Sequence, residues 1–513
     1  MYKRQLLGLF ILLCAPIFSQ EEILDKTFGE DGKVIFHYGM EYGYSAYDVA
    51  VQNDGKIVIV GNIELADKSE KDVFVLRLKT DGTWDNSFQD RGFNNFKITD
   101  SDFEYAKKVK IVGDKILIGG FSGTKGFIMR LNLSDGEPDE SFGNSGNGIV
   151  TTDLLSSIND LCIVSQINTY DIVCAGAYSD GFESKPALVR FTENGHLLTA
   201  FGSDGRATIN STITGYFTGI SASANTLFAS GTKHKDGVIN DDALIAGFNI
   251  NGSCSGHVTI DAPVGNRRNN IHSLYRNIFS GAVIFCGDYT SDSGISAYVC
   301  KLKSNGNIDR TFGDNGYRFT DNSQTMNSIV HQSDGKIILG GYSDLSGNND
   351  FNLIRLTSGG QDDLTFNTVG WGLTDFNGAD DWLQKLVIQP DSKLIAVGNS
   401  QIGSEHSIAI ARYITKNPSA INEINQSDIK LSIFPNPVQN KEINVNYTIH
   451  KKGKIDISLF SIDGKKIADI ISGTMGVGEH KARFILPQTI ESGLYFIRLQ
   501  SQNQQISLKL IVL

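Results

Sequence analysis

The sequence predicts an all-β protein, namely a seven-bladed β-propeller followed by a small Ig-like β-sandwich. Three observations lead to this prediction. A short Phe-Gly element recurs along most of the chain at a nearly constant spacing. Each interval holds four short runs of β-branched, aromatic and aliphatic residues, which Gly- and Asp-rich turns separate. Beyond residue 430 the repeat stops, and a segment with a different alternating pattern runs to residue 513.

The recurring element begins with Leu24–Gly32, in which a Gly stands four residues after Phe28. The same Phe-to-Gly spacing occurs at six phenylalanines, which are Phe28, Phe88, Phe142, Phe201, Phe312 and Phe366. Successive steps are 60, 54, 59, 111 and 54 residues. The long step equals two periods, so a degenerate copy is expected near Gly252–Ile260. A period of this length is typical of repeat architectures.

The first repeat shows how each unit is expected to fold. Ser45–Gln52 and Ile57–Gly61 read as strands joined by the turn 53–56, Asp72–Leu78 as a third strand, and Gly92–Ile98 as a fourth. Four strands per unit suit a propeller, because closing the ring protects the sheet edges. A β-solenoid is the alternative architecture.

The two ends of the repeat region predict how the ring closes. Gly32–Tyr38 precedes any complete three-strand core, and the seventh core ends at Tyr413 with no fourth strand after it. We therefore expect Gly32–Tyr38 to be the outer strand of the last blade, with the two ends of the propeller side by side.

Composition and charge bound the class of protein. The chain has 513 residues, of which 40% are hydrophobic and 20% charged, with a formal net charge of -11. An acidic protein is a poor ligand for nucleic-acid phosphates, so no nucleic-acid partner is expected. Residues 1–19 read as a signal peptide, with Lys3 and Arg4 before the apolar run Leu6–Phe18. No other run is long enough for a membrane-spanning helix, so none is expected after signal removal.

The anchors have the form Asp-x-x-Phe-Gly-x-x-Gly, which is clearest in Leu24–Gly32, Asp139–Gly146 and Ile308–Gly316. In this form, residues 24–414 resemble the delta-60 family of repeats found in bacterial surface and secreted proteins. The resemblance implies a propeller-like fold and no established activity. Leu198, which stands where the pattern has Asp, departs from it.

Residues 415–430 are polar and unpatterned and read as a linker, and residues 431–513 read as a separate β domain. The domain resembles the type A C-terminal sorting domain of the type IX (Por) secretion system of Bacteroidetes. The residues that carry this resemblance are Pro435, Asn436, Pro437, Gly464, Gly493, Tyr495 and Lys509. It implies export to the outer-membrane surface or the extracellular space, with the type IX machinery as partner. An ordinary Ig-like module is the alternative.

No catalytic motif is present, so no catalytic residues are predicted. The leading hypothesis is a non-enzymatic binding or adhesion protein whose ligand is a glycan or a protein. Its contacts are expected on the irregular loops, where exposed aromatic and cationic side chains could reach a ligand. The candidate ligand-binding residues are Trp371, Trp382, Arg267 and Arg268. The alternatives are a polysaccharide hydrolase or lyase that uses Asp375, Asp380 or Asp381, and a structural surface-layer component.

Two sets of recurring charged residues have different interpretations. Arg77, Arg130, Arg190, Arg355 and Arg412, with Lys301, recur on the third strand, in step with Asp25, Asp85, Asp139, Asp309 and Asp363 before the anchor Phe. We expect these to form structural ion pairs, because one active site need not recur. Five aspartates follow the fourth strand and are candidate ligands of a divalent cation such as calcium, with turn stabilisation as the alternative. They are Asp100, Asp153, Asp261, Asp321 and Asp375.

Cys162 and Cys174 flank a predicted hairpin, at positions that correspond to Ala50 and Ile59 of the first repeat. If these positions face each other, an exported protein could oxidise the pair to a disulfide. Two free core thiols are the alternative.

Overall fold

The structure is a computed structural model of the chain. It describes residues 23–37, 43–64, 70–89, 91–101, 103–166, 169–209, 212–223, 225–234, 241–260, 268–277, 280–291, 294–322, 324–403, 405–415, 429–434, 436, 438, 441–449, 452–461, 465–501 and 505–512. The expected signal peptide, most of the expected linker, and Asp261, Arg267, Pro435, Pro437 and Gly464 lie outside the described residues.

The chain forms two compact units, Met1–Asn417 and Pro418–Leu513. The strands of the first unit are β1 (Lys33–Phe36), β2 (Gly43–Val51), β3 (Ile57–Glu64), β4 (Lys71–Leu78), β5 (Phe93–Phe96), β6 (Glu104–Val112), β7 (Lys115–Ser122), β8 (Lys125–Asn132), β9 (Ile149–Thr152), β10 (Ser157–Ser165), β11 (Tyr170–Ser179), β12 (Ser184–Thr192), β13 (Arg206–Thr208), β14 (Gly215–Ala222), β15 (Thr226–His234), β16 (Asp241–Asn249), β17 (Cys254–Ile260), β18 (Arg268–Arg276), β19 (Val283–Ser291), β20 (Gly294–Leu302), β21 (Tyr317–Asn322), β22 (Gln324–His331), β23 (Ile337–Ser343), β24 (Asp350–Leu356), β25 (Trp371–Thr374), β26 (Asp381–Ile388), β27 (Leu394–Ile402) and β28 (Glu405–Tyr413).

These strands form antiparallel four-stranded sheets in which the strand order follows the chain. The sheets are β2–β5, β6–β9, β10–β13, β14–β17, β18–β21, β22–β25, and the sheet β26-β27-β28-β1. In the last sheet, β1 pairs with β28, with Lys33 opposite Ala411 and Phe36 opposite Ile408. The expected pairing of the N-terminal strand with the last repeat is therefore confirmed.

The sheets follow one another in a closed ring. The edge strand that begins each sheet contacts the edge strand of the next, and β26 contacts β2. Apolar clusters fill the space between neighbouring sheets, as where Val58 and Val75 pack with Ile116 and Met129. Because both faces of each sheet are covered, the middle strands such as β3 and β4 are buried along nearly their whole length. The first unit is thus a β-propeller.

The second unit consists of two sheets that share one apolar core. Its strands are β29 (Ile429–Phe434), β30 (Glu442–Ile449), β31 (Gly453–Ser461), β32 (Lys466–Met475), β33 (Gly478–Ile485), β34 (Gly493–Ser501) and β35 (Gln505–Val512). One sheet has the order β29-β30-β33 and the other the order β32-β31-β34-β35. No helix in the described part of the chain is long and apolar enough to cross a membrane.

Candidate functional site

Each edge strand along the axis of the propeller carries one β-bulge, at the same place in every sheet. The partner register shifts across one residue in β2, β6, β10, β14, β18, β22 and β26. The extra residues are Tyr47, Lys107, Asn159, Thr218, His272, Asn327 and Gln384. A bulge re-aims the side chain of its extra residue. The sequence does not predict these bulges, because no turn or spacing signal marks them.

A cavity of about 460 Å³ lies where the edge strands meet, and all seven bulge residues line it. The residues that follow the bulges contribute further side chains, including Asp48, Lys108, Asp160 and Lys385. We call this cavity the axial channel. Unlike the anchors, the bulge position carries a different residue type in most sheets, which is what a ligand site in a repeat protein requires.

Three bulge residues use their side chains to tie one edge strand to the next. Each donates a hydrogen bond to the carbonyl that precedes the bulge of the following strand. The pairs are Asn159 Nδ2 to Phe217 O at 2.8 Å, Thr218 Oγ1 to Ile271 O at 2.7 Å, and Asn327 Nδ2 to Leu383 O at 2.8 Å. These side chains therefore have a structural role.

The residue after the bulge makes a second tie in three strands. Its oxygen accepts a hydrogen bond from a backbone N–H of the following strand. The pairs are Val109 N to Asp48 Oδ2 at 2.8 Å, Ile220 N to Asp160 Oδ2 at 2.9 Å, and Leu386 N to Ser328 Oγ at 3.1 Å. The two acidic residues of the channel, Asp48 and Asp160, thus hold neighbouring sheets together.

Lys108 lies between these two carboxylates, with its Nζ 3.5 Å from Asp48 and 3.2 Å from Asp160. Burial favours the neutral amine, but Asp160 and Asp48 outweigh that effect and raise the pKa of Lys108 above its usual range. Lys108 therefore carries its charge and forms ion pairs with both carboxylates.

Three further lysines line the channel, and none forms an ion pair with a carboxylate that the structure describes. Lys107 lies over the ring of Tyr47 at 3.8 Å, and burial, with repulsion from Lys71, lowers its pKa to about 8. Repulsion from Lys108, then burial, lowers the pKa of Lys110. Burial, then repulsion from Lys108, lowers that of Lys385. The channel thus has a surplus of positive charge in an acidic protein.

The recurring Arg and Asp residues of the anchors form the ion pairs that the sequence predicts. The pairs are Arg77–Asp85 at 2.7 Å, Arg130–Asp139 at 2.8 Å, Arg355–Asp363 at 2.7 Å, Arg412–Asp25 at 2.8 Å and Lys301–Asp309 at 3.5 Å. Arg190 pairs instead with Asp171 at 2.7 Å, because Leu198 replaces the anchor Asp. The Arg412–Asp25 pair joins the two ends of the ring.

The anchors also contain contacts that the sequence does not predict. A lysine of the hairpin turn completes the ion pair in four sheets, as Lys56 does 3.1 Å from Asp85. The arginine lies over the anchor ring, with Arg77 4.3 Å from the centre of Phe88, and it donates to a carbonyl of the next sheet, Leu133 O. The anchor is therefore a joint between neighbouring sheets and not a ligand site.

The described side chains among the five candidate metal ligands, those of Asp100, Asp153 and Asp375, have separate surroundings. Asp100 is exposed, and Asp153 is exposed and lies 3.1 Å from Lys125. Asp321 lies in β21, and its side chain is outside the description. Asp375 instead meets Asp350 and Asp381, with one oxygen of each within 4.8 Å of the others. Among the described residues, Asp375 is the only one of the candidates that belongs to a group of carboxylates close enough to share a metal ion, and the ring stays a prediction.

The group of Asp350, Asp375 and Asp381 has structural partners of its own. Asp381 is fully buried and accepts a hydrogen bond from Phe376 N at 2.6 Å, and Asp375 accepts one from Gly378 N at 2.7 Å. Burial, and then repulsion from Asp375 and Asp350, raise the pKa of Asp381 to about 7. Three such oxygens are the donor type that calcium takes. The same bonds also stabilise the loop between β25 and β26.

The two candidate tryptophans have separate surroundings. Trp371 starts β25 and packs against the apolar cluster that contains Phe312 and Ile337. Trp382 lies at the start of β26, half-buried, with its ring 5.2 Å from that of His406. Arg268 begins β18, and its side chain is outside the description. Both indoles are half-buried, and of the two only Trp382 adjoins the loop that precedes an edge strand.

Cys162 and Cys174 are both buried free thiols, so the expected disulfide is wrong. Cys162 lies opposite Val173, and Cys174 lies opposite Leu161. This register differs by one residue from the expected one, and a slip of one residue sends side chains to opposite faces of a sheet. Cys162 accordingly packs in one apolar cluster and Cys174 in another.

In the second unit, the motif residue Asn436 clamps the last strand. Its Nδ2 donates to Lys509 O at 2.7 Å, and its Oδ1 accepts from Ile511 N at 2.9 Å. Gly493 and Tyr495 lie on β34, opposite Val512 and Leu510 of the last strand. The motif at the start of the unit thus fixes its C-terminal end.

Residues 432–513 match the family model described as "Secretion system C-terminal sorting domain". The second unit is a sorting domain. A sorting domain of this family marks proteins that type IX secretion exports to the cell surface or the extracellular space. The exported protein therefore has the type IX machinery as a partner.

Residues 52–88 and 332–366 match the model described as "Domain of unknown function (DUF5122) beta-propeller". No curated protein sequence matches the chain. Among solved structures, the β-propeller domain of the Trilobed protease from Pyrococcus furiosus is 7% identical, with 74% of this chain and 95% of that chain covered and a TM-score of 0.38. Sqt1 from Chaetomium thermophilum is 12% identical, with 71% and 83% covered and a TM-score of 0.39. Drosophila Plexin A, solved in complex with Semaphorin 1b, is 8% identical, with 74% and 86% covered and a TM-score of 0.38.

Proposed function

We propose that this exported propeller is a non-enzymatic binding or adhesion protein whose ligand is a glycan or a protein. The observation that carries the proposal is the axial channel, a concave polar cavity to which every edge strand contributes a bulged residue. Residues that recur from sheet to sheet build the scaffold, whereas the bulge residues differ from sheet to sheet. Differing side chains around one cavity suit recognition of one ligand.

The finer organisation belongs to the same proposal. Residues 1–19 are a signal peptide, residues 24–414 a seven-bladed propeller of delta-60-like repeats, residues 415–430 a linker and residues 431–513 an Ig-like sorting domain. The order of the four-stranded sheets and the pairing of β1 with β28 support the blade count. An experimental structure with another number of blades, or with residues 32–38 outside the last blade, would refute it.

Ligand contact outside the channel is assigned to the loops that precede the edge strands. Trp382 supports this, because its half-buried ring lies at the start of β26 beside the loop from β25. Arg267 and Arg268, before and at the start of β18, are candidate contacts of the same kind, and Trp371 is a separate candidate at the start of β25. Aromatic rings bind the apolar faces of sugars and are frequent in protein interfaces.

The experiment measures binding of the exported full chain to a glycan array and to cell-surface protein fractions. The change Trp382→Ala should weaken capture roughly tenfold, because it removes an aromatic contact. The matched control is Trp84→Ala, at the anchor turn, where the indole packs 4.6 Å from Phe36. Absence of any saturable binding would remove the proposal, and equal loss in both variants would remove Trp382 from the site.

One observation favours a polysaccharide hydrolase or lyase as a second candidate function. Asp381, with its raised pKa, lies close to Asp375, as an acid and a base would in such an enzyme. Its complete burial argues against direct contact with a substrate. New reducing ends or unsaturated sugars after incubation with polysaccharides would favour this candidate, provided that Asp381→Asn abolishes them.

A further inference from the structure

The axial channel contains more positive charge than its own carboxylates can balance. Two acids, Asp48 and Asp160, line it together with five cations of the described strands, which are Lys107, Lys108, Lys110, Lys385 and Arg276. Lys108 bridges the two acids at 3.5 and 3.2 Å. Lys107, Lys110 and Lys385 remain without an ion pair among the described residues.

Asp48 and Asp160 cannot form ion pairs with the other lysines without losing hydrogen bonds between the sheets. Asp48 and Asp160 each accept a backbone N–H of the neighbouring edge strand, at 2.8 and 2.9 Å. Those bonds close the gap between sheets, and a buried N–H that loses its acceptor is destabilising. The carboxylates are thus committed to the scaffold, together with Lys108.

We infer that the axial channel binds a small ligand through an oxyanion group (carboxylate, sulfate or phosphate) that Lys110 and Lys385 hold from two sides. The inference deepens the proposed binding function by naming the class of ligand, and it rests on that function only in taking the channel as a binding site. An oxyanion offers acceptors to both ammonium groups at once, and charge-assisted hydrogen bonds of this kind are strong.

The arrangement of the lysines supports an anion and not a structural role. Asp48 and Asp160 attract Lys110 and Lys385, but repulsion among Lys108, Lys110 and Lys385, together with burial, outweighs that attraction and lowers the pKa of both residues. A cavity lined by charges of one sign concentrates ions of the opposite sign, which is what an anion site needs. Lys107 differs from these two, because the ring of Tyr47 partly balances its charge at 3.8 Å.

The size and lining of the channel limit the ligand further. A volume of about 460 Å³ lies in the range of small-molecule sites and leaves no room for a folded partner. Tyr47 and Tyr275 line the same space and offer ring faces beside the cationic groups. An acidic sugar unit, a sulfate ester or a phosphate group fits this combination.

The test is isothermal titration calorimetry of the full exported chain with D-glucuronate, inorganic sulfate and inorganic phosphate, with D-glucose as the neutral comparison. At least one anion should bind saturably at one site per chain, and D-glucose should bind at least tenfold more weakly. The three anions separate the possible sources of the oxyanion. If none of them binds, the inference is overturned.

Variants locate the binding. Lys385→Met and Lys110→Met should each weaken binding roughly ten- to a hundredfold, since each removes one charge-assisted contact. Lys385→Arg keeps the charge and should bind within severalfold of the unchanged protein. Lys79→Met is the matched control, because Lys79 is exposed on a turn away from the channel. Equal binding by both Met variants and the control would overturn the assignment to the channel.

Two further measurements show whether a loss of anion binding comes from a folding defect or from a wrong proposed function. Either case is thereby distinguished from a wrong oxyanion inference. Without a ligand, the Met variants should unfold at the same temperature as the unchanged protein or at a higher one, because each removes an unpaired charge. Capture on the glycan array is a separate measurement. Persistent capture with no anion binding would sink the oxyanion site and leave the proposed function intact.

Discussion

At the scale of single residues, the joint between sheets depends on a glycine that faces an anchor ring. Gly136 has a φ of +80°, and a Cβ added there would lie 2.5 Å from the ring of Phe88. Phe88 is fully buried in the cluster between its own sheet and the next. The turn can close over the ring only because this residue has no side chain.

The change Gly136→Ala should therefore destabilise the propeller by about 2–4 kcal/mol, from backbone strain and from overlap with Phe88. The control is Gly181→Ala, which has a φ of +98° but open space around the added Cβ. It should cost only about 1–2 kcal/mol, from strain alone. The three tryptophans all lie in the first unit, so their fluorescence during urea unfolding reports on the propeller. Equal losses would show that the ring contact is unimportant.

At the scale of the repeated element, the anchor ion pair makes stability depend on acid. Burial raises the pKa of Asp139, but hydrogen bonds from Ser141 and Lys115 outweigh it and hold the pKa at about 2. The pKa values of the anchor residues Asp25, Asp85 and Asp363 are also about 2, because each carboxylate accepts hydrogen bonds from a Ser or Thr and from a turn lysine. The folded pKa lies below the unfolded one, so the contribution is present above about pH 4 and lost as the pH falls through 2.

Asp139→Asn should accordingly lower the free energy of unfolding by roughly 2 kcal/mol or more at pH 7, and by much less at pH 2. The loss at pH 7 also includes the cost of leaving Arg130 buried without its partner. Asp114→Asn is the control, since the side chain of Asp114 is 89% exposed. Urea unfolding across this pH range measures both, and a loss that does not change with pH would contradict the assignment.

The sequence predicted this element well because its signals are local. Phe28, Gly32 and the Asp-Gly hairpins stand at fixed spacings, and each spacing corresponds to one turn of the backbone. The anchor pairs followed from two residue types that recur in step. The turn lysines, such as Lys56, were missed because lysine on a turn is common and usually solvated.

The candidate site was much less predictable, for a physical reason. The channel lysines come together only when distant edge strands meet, and a bulge such as the one at Lys107 leaves no mark in a single strand. The error at Cys162 and Cys174 has the same origin, since one residue of register decides which face a side chain takes. Positions that depend on register across the ring are outside the reach of local patterns.

At the scale of the whole molecule, the two units have separate tasks. The propeller and the sorting domain each have their own core and form separate compact units. Removing residues 432–513 should therefore stop delivery to the cell surface without unfolding the propeller. The truncated chain should collect inside the cell envelope, as fractionation and surface labelling would reveal. The midpoint of its urea unfolding, followed by tryptophan fluorescence, should be unchanged. Normal surface delivery of the truncated chain would refute the role of the sorting domain.

The pairing of β1 with β28 cannot form until most of the propeller has been synthesised. Lys33 and Ala411 are 378 positions apart, so the first strand has no partner until nearly the whole propeller has been made. At about 5–20 residues per second, synthesis of that stretch takes roughly 20–75 seconds. Until then the apolar edge at Ile408 and Ile410 is missing or uncovered, and such an edge invites other strands. Closing the ring therefore joins a strand that is made early in synthesis to one that is made 378 residues later.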